Sequence, residues 1–285
     1  MEIRKTDKGQ NMEKEAGSMC NLLRMDLYRL KRSWSVYFCF GILLLMTAAT
    51  FLMVWLAGTE EGGKTAVKIG MMTAAQAAEH GSLEGVDLLM LFRRMGLSGG
   101  VYNMMLGIQV MLFVCSDYQS GFVKNIMALH QNRWSYAGSK ILTAGIVNIC
   151  YLTGQFAFVL LVNARFGHMV PGVGIRDSLF FISWAWMATT AFAALMVCIC
   201  IWSRSVAAGT LAAVLLGTGS VVEPLRMFLD VFHLGGWLDD SIYLTLSMGP
   251  DRYETVSDLY VYLVGAGFLG IYTVVTGVVL KKQDI

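Results

Sequence analysis

Between Val36 and Ala57 the chain runs for 22 residues without a charged side chain, and five more apolar runs follow it. A helix of about 20 such residues crosses the roughly 30 Å of hydrocarbon in a bilayer. Only backbones that satisfy their own hydrogen bonds can lie there, so these runs are expected as helices. They are Val36 to Ala57, Gly99 to Ser116, Ile141 to Asn163, Leu179 to Ile201, Val206 to Val222 and Leu259 to Leu280. Hydrophobic residues make up 56% of the 285 and charged residues 15%, and mean hydropathy is +0.57. The expected fold class is therefore an all-α polytopic membrane protein. Pro171, Pro224 and Pro250 fall outside the charge-free runs, leaving those helices without their strongest breaker.

The segments between the runs divide by charge. Residues 1–18 are polar, with no apolar core of the secretory-signal kind, and read as a cytoplasmic tail in which Met12 and Met19 are alternative starts. From Met19 to Ser33, Leu22, Leu23, Leu27 and Leu30 interleave with Arg24, Arg29, Lys31 and Arg32 at helical spacing. This is the pattern of an interfacial helix whose basic residues face anionic membrane lipid. Fourteen of the 22 Lys and Arg, but only seven of the 20 Asp and Glu, fall on the side that holds both termini. That side is expected to be cytoplasmic. A net charge of +2 sorted this way gives no ground for a nucleic-acid partner.

On the outer side, Ser82 to Met95 reads as one helix, with Glu84 and Asp87 in its first turns and Arg93 and Arg94 in its last. Between Pro224 and Asp258, the apolar pieces Leu225 to Leu234 and Leu238 to Leu246 are each too short to span and are separated by Gly235 and Gly236. A re-entrant helical hairpin and a surface-lying amphipathic loop both fit them.

The most informative inner segment is Asp117 to Lys140, 24 polar and basic residues between the second and third runs. It reads as a loop at the membrane surface, marked by Lys124, Arg133 and Lys140. Within it Phe122, Val123, Ile126, Met127 and Leu129 give a short helix an apolar face. A helix of that length is unstable alone in water, so the face is expected to dock into a partner's groove. An acidic residue closing a span, then Gly, Lys-Asn, and later Arg, Tyr and Lys is the order seen here in Asp117, Gly121, Lys124, Asn125, Arg133, Tyr136 and Lys140. This order resembles the loop between helices two and three of ABC-2 type transporter permeases.

The resemblance extends over the chain: an elbow helix, six spans, the loop after span two, the outer hairpin and the basic tail. It implies a type V exporter-like fold. It also implies that residues 117–140, Phe122 and Ile126 included, carry the coupling helix that sits on a cytoplasmic ATP-binding subunit. A second permease copy or a sister permease would complete the assembly. ATP and Mg would belong to the partner, since no G-x-x-x-x-G-K-[ST] loop occurs here and this chain needs no cofactor of its own. In such families the cargo is an amphipathic molecule: an antimicrobial peptide, a drug or a lipid-linked glycan. The competing reading is a membrane scaffold or sensor that uses the same basic segment to hold a cytoplasmic partner.

The spans as bounded hold no Asp, Glu, Lys, Arg or His, which argues against proton-coupled carriers and intramembrane proteases, whose chemistry needs ionisable groups at depth. Gly96-Leu97-Ser98-Gly99 is similar to the nucleophile motif of rhomboid proteases, yet no span supplies a histidine to act as its base. His80, His130, His168 and His233 are scattered across loops without ligand spacing. None of the six cysteines falls in an outer loop, and Cys198 and Cys200 face different ways on a helix, so no disulfide framework or metal pair is implied. The neutral polar residues of the spans, Asn103, Gln109, Asn148, Gln155, Thr189, Thr190, Thr210 and Thr218, are expected to bond between helices.

Overall fold

In the computed structural model, residues 19–69, 86–129, 133–167, 170–232, 235–238 and 240–283 are described. The tail at 1–18, the start of the helix expected from Ser82, and all four histidines lie outside them. In chain order the helices are α1 (residues 19–31), α2 (Trp34–Gly58), α3 (Glu60–Lys68), α4 (Leu88–Phe92), α5 (Val101–Gln119), α6 (Phe122–Leu129), α7 (Arg133–Arg165), α8 (Ile175–Ser203), α9 (Val206–Gly217), α10 (Val222–Asp230), α11 (Ile242–Met248) and α12 (Tyr260–Lys282). No strand occurs among the described residues.

Four helices are long and apolar enough to cross a membrane by themselves: α2, α7, α8 and α12 together with its leading turn at Val256–Leu259. The count reaches six if two bent pairs each act as one span. One pair is Leu88–Ser98 with α5, bent by 48°; the other is α9 with α10, bent by 53°. The bends have backbone causes. Gly100 and Gly219 both take positive φ, 71° and 72°, conformations that a side chain would strain. The fifth run therefore ends as a helix at Gly217, and Pro224 lies in the first turn of α10, where its missing N–H costs nothing.

The bundle is built around α8. Of the most apolar 18-residue window in each long helix, 78% is buried in α8 against 28% in α2, 39% in α7 and 22% in the helix ending at Lys282. Helix α8 touches α5, α7, α9, α11 and α12, and its small residues Ala185, Ala188, Ala191, Ala193 and Ala194 let them approach. Asn148 of α7 locks this centre. Its Nδ2 donates to Thr189 Oγ1 and Thr190 Oγ1, both at 2.8 Å, and its Oδ1 accepts from Tyr102 at 2.6 Å. Gln155 of α7 likewise donates to Thr47 of α2 at 2.9 Å. Thr210 and Thr218 instead bond to carbonyls four residues back in their own helix, so they bridge nothing.

Two outer expectations change. The helix expected over Ser82–Met95 is described only as Leu88–Phe92, continuing into a wide π-helical turn at Arg93–Ser98. Phe92 packs edge-on against Phe156 and Phe181 rather than resting at a surface. The outer hairpin is asymmetric. Helix α11 is buried through Ile242, Leu244, Thr245 and Leu246, whereas α10 has no buried residue. Ser98 of the protease-like motif shares a hydrogen bond with Ser247 at 3.0 Å, a packing role.

Where α5 crosses α9 the two backbones touch. A Cβ on Gly217 would lie 2.7 Å from the Met104 nitrogen, whereas one on Gly270 of α12 would meet nothing within 4 Å. Gly217→Ala is expected to lower stability by about 1–3 kcal/mol, because backbone cannot make way. Gly270→Ala is expected to be neutral or to raise it by up to about 1 kcal/mol. Paired thermal denaturation in one detergent checks the contrast.

Candidate functional site

The expected loop between Asp117 and Lys140 is mostly helix. Helix α5 continues through Asp117 to Gln119, a tight turn at Gly121 (φ 69°) starts the two-turn α6, and α7 already begins at Arg133. The reason is pairing. Asp117 and Lys140 are both fully buried, and Lys140 Nζ lies 2.6 Å from Asp117 Oδ2. Carried inside by their helices, they no longer need the water that the loop reading gave them. The helices thus reach past the bounds of the charge-free runs and take two ionised groups with them.

The cluster has two more members, both on α1. Lys140 Nζ donates to Asp26 Oδ1 at 2.7 Å, and Arg29 stands 2.7 Å from Asp117 Oδ1. Arg29 also lies over the Phe122 ring at 4.4 Å, and Lys140 over the Phe113 ring at 4.2 Å. Two cations thus face two carboxylates, and the set is neutral. Tyr136 donates to Asp117 Oδ2 at 3.3 Å, and Ser139 to Asp26 Oδ2 at 3.3 Å. Burial pushes the Asp26 carboxyl above its ordinary value of 3.8, against the downward pull of Lys140.

The interfacial reading had turned Arg29 outward to headgroups; it turns inward, to Asp117 and Phe122. Asp26 had gone unnoticed, although a signal was present. Leu22, Asp26 and Leu30 are spaced by four, which puts a carboxylate on the buried stripe of an amphipathic helix, and all three are buried.

Helix α6 sits against this clamp. Its apolar face was expected to need a partner's groove, but Val123 and Ile126 are buried and Phe122 and Met127 pack against the core of this same chain. Of the side chains described on α6, Lys124 and Asn125 are exposed. Arg133 reaches the other way, its Nη1 donating to the carbonyls of Leu280, Lys281 and Gln283 at 2.8–3.0 Å. Arg204 donates to the Gln283 side chain at 3.0 Å. The end of α12, the α8–α9 turn, α1 and α6 therefore gather at one end of the bundle. At the far end of α5, Arg93 pairs with Asp251 at 3.1 Å and bonds the Gly249 carbonyl, and Arg252 pairs with Asp87.

Asp117 and Lys140 are sealed and Asp26 is only 1% exposed, while Arg29 keeps a third of its side chain exposed at the edge of the cluster. Among the described residues no three His, Cys, Asp or Glu side chains gather as they would for a metal ion. No protein-family model matches the chain, and no curated protein matches it.

Lys140→Met leaves Asp26 without its ion-pair partner while Asp117 keeps Arg29. The loss expected is about 3–5 kcal/mol, as for any buried pair broken on one side. Adding Asp26→Asn removes the orphaned charge, so the double variant should lose less than the two single losses combined, measured as a double-mutant cycle of thermal stability. Acidity offers a second check. Because the folded state binds the Asp26 proton more tightly than the unfolded chain, that stabilisation is full below about pH 4 and fades as pH rises through the raised folded value. Asp26→Asn should flatten this acid-side slope in melting temperature, measured against wild type across the same pH series.

Proposed function

We propose that this chain is the membrane-spanning permease subunit of an ATP-driven exporter of the ABC-2 type, with ATP hydrolysis supplied by a separate cytoplasmic subunit. The observation that carries the reading is the mounting of α6. It is a two-turn helix between two long helices, seated on the clamp of buried Asp26, Asp117 and Lys140 and partly exposed Arg29, with Lys124 and Asn125 facing outward. A push on α6 passes into α5 through the tight turn at Gly121 and into α1 through Arg29 over Phe122, and the clamp ties both to α7. The order Asp117, Gly121, Lys124, Asn125, Arg133, Tyr136, Lys140 supports it on the side of the sequence, as do four to six apolar helices capable of spanning. In this reading α1 is the interfacial elbow, both termini are cytoplasmic, and a second permease completes the transport pathway. The cargo is an amphipathic peptide, drug or lipid-linked molecule, with peptide export or self-immunity the first to test.

The partner contact is polar rather than a greasy helix in a groove, since Phe122, Val123, Ile126 and Met127 of α6 are already covered. Purification of the tagged chain from its native membrane should bring down an ATP-hydrolysing subunit. Lys124→Glu combined with Asn125→Ala should reduce that recovery at least about tenfold, with melting temperature unchanged because both residues are exposed. A wild-type preparation that never contains an ATPase would overturn the proposal and favour a scaffold. So would vesicles of this protein alone moving solute down an ion gradient.

A further inference from the structure

A cavity of about 280 Å³ opens where the turn from α1 into α2 meets α5. Its wall carries one cation, Arg29, and three serines, Ser33, Ser35 and Ser116, with no acidic residue; the remainder is apolar. Leu112, part of that remainder, is itself exposed, so the cavity gives onto the side of the bundle that faces hydrocarbon. Trp34 and Tyr37 beside it are exposed too, as aromatic side chains are where a span leaves the bilayer core. The volume falls just short of the roughly 300–1,000 Å³ that encloses a whole drug-sized molecule, and suits a headgroup whose chains stay outside.

The polar groups of the wall have bonding capacity to spare. Ser33 precedes α2 without capping it, and its hydroxyl lies 2.8 Å from that of Ser35. One O–H is spent in that bond, which leaves the other as a donor. Ser116 donates to the Phe113 carbonyl at 2.8 Å and keeps its acceptor side. Arg29 gives one nitrogen to Asp117, yet a third of its side chain stays exposed and its charge stands in the wall. Behind it the clamp is neutral as a whole. Lys31 and Arg32, both exposed, make this turn positive, and no acidic residue occurs between Asp26 and Glu60 to offset them.

We propose that this cavity holds the headgroup of one anionic glycerophospholipid. The phosphodiester would lie beside Arg29 and accept from the free O–H of the Ser33 and Ser35 pair, a headgroup hydroxyl would donate to Ser116, and the acyl chains would run outside past Leu112. A single phosphodiester charge matches the single cation of the wall. A choline head would bring its ammonium among three cations with no carboxylate in the wall to receive it. A soluble phosphate would gain nothing from the apolar rim. The site needs the spanning helices but not the export reading above.

The probes are dioleoylphosphatidylglycerol and dioleoylphosphatidylcholine, which share their chains, and glycerol phosphate, which has none. The full chain in non-ionic detergent is titrated with each, and native mass spectrometry reads the affinity of the first lipid bound. Wild type should bind the glycerol lipid at least about tenfold more tightly than the choline lipid. Ser35→Leu with Ser116→Leu fills the cavity and leaves every charge in place, so it should cut that preference to about twofold or less, with the protein still melting cooperatively. The milder pair Ser33→Ala and Ser35→Ala removes hydroxyls without adding bulk and should weaken binding of the glycerol lipid at least about fivefold. Equal affinity of wild type for the two lipids would overturn the proposal. A folded cavity-filled variant that keeps the full preference would do so as well, because it would assign the effect to diffuse attraction by surface charge. So would displacement of the lipid by glycerol phosphate at a similar concentration, which would make this a site for soluble anions. The wild-type comparison and the displacement require no variant to fold. No ATPase takes part, so this test can fail while the co-purification succeeds, or the reverse.

Discussion

Three charges removed from water, Asp26, Asp117 and Lys140, hold one end of this molecule together. Lys140 touches both carboxylates and the partly exposed Arg29 touches Asp117 from the other side, so α1, α5 and α7 are joined largely through groups that have no solvent to fall back on. A surface ion pair can open at little cost; the Lys140 contacts cannot, because opening them strands charge in a dry interior. The helices that bear these residues therefore move as a unit, and α6, stacked on Arg29 through Phe122, moves with them.

That constraint shapes the rest of the bundle. Helix α8 runs through the centre on small side chains, and Asn148 pins α7 to it through Thr189 and Thr190 and to α5 through Tyr102. The far end is fastened separately, by Arg93 to Asp251 and Arg252 to Asp87, where burial raises the Asp251 carboxyl despite its guanidinium partner. Between two fastened ends, the α9–α10 break is where regular helix stops: Gly217 closes one helix, Gly219 turns the chain, and Asn103 faces the space that results. Helix α10, with Met227, Phe228, Val231 and Phe232 exposed, is the least attached element beside it.

Much of this was legible in the chain. The long helices were, because a charge-free run of about 20 residues has one solution in hydrocarbon: four of the six runs appear as helices close to their expected bounds, while the third begins earlier, at Arg133, and the fifth ends early, at Gly217. The segment from Asp117 to Lys140 was misread as a loop for a physical reason. Charges were assigned to water by default, and nothing local shows that Asp117 and Lys140, 23 residues apart, will neutralise each other inside. The apolar face of α6 was assigned to a partner on the same logic, when this chain's own core was the nearer cover. Asp26, four residues from Leu22 and from Leu30, was the one clue that the amphipathic helix ahead of the first span carried a buried charge.

By itself, then, the sequence determined that the chain is helical, which segments are apolar enough to span, and where glycine permits the backbone to turn, since these depend on residues close together along the chain. Tertiary structure alone decided which charges became partners, which side chains of α6 stayed exposed, and which buried amides, Asn103, Gln109 and Gln155, were left with a bare oxygen. Those outcomes depend on how helices far apart in sequence come to lie side by side. Asp26, Asp117 and Lys140 meet across more than a hundred residues, and no local pattern encodes that meeting.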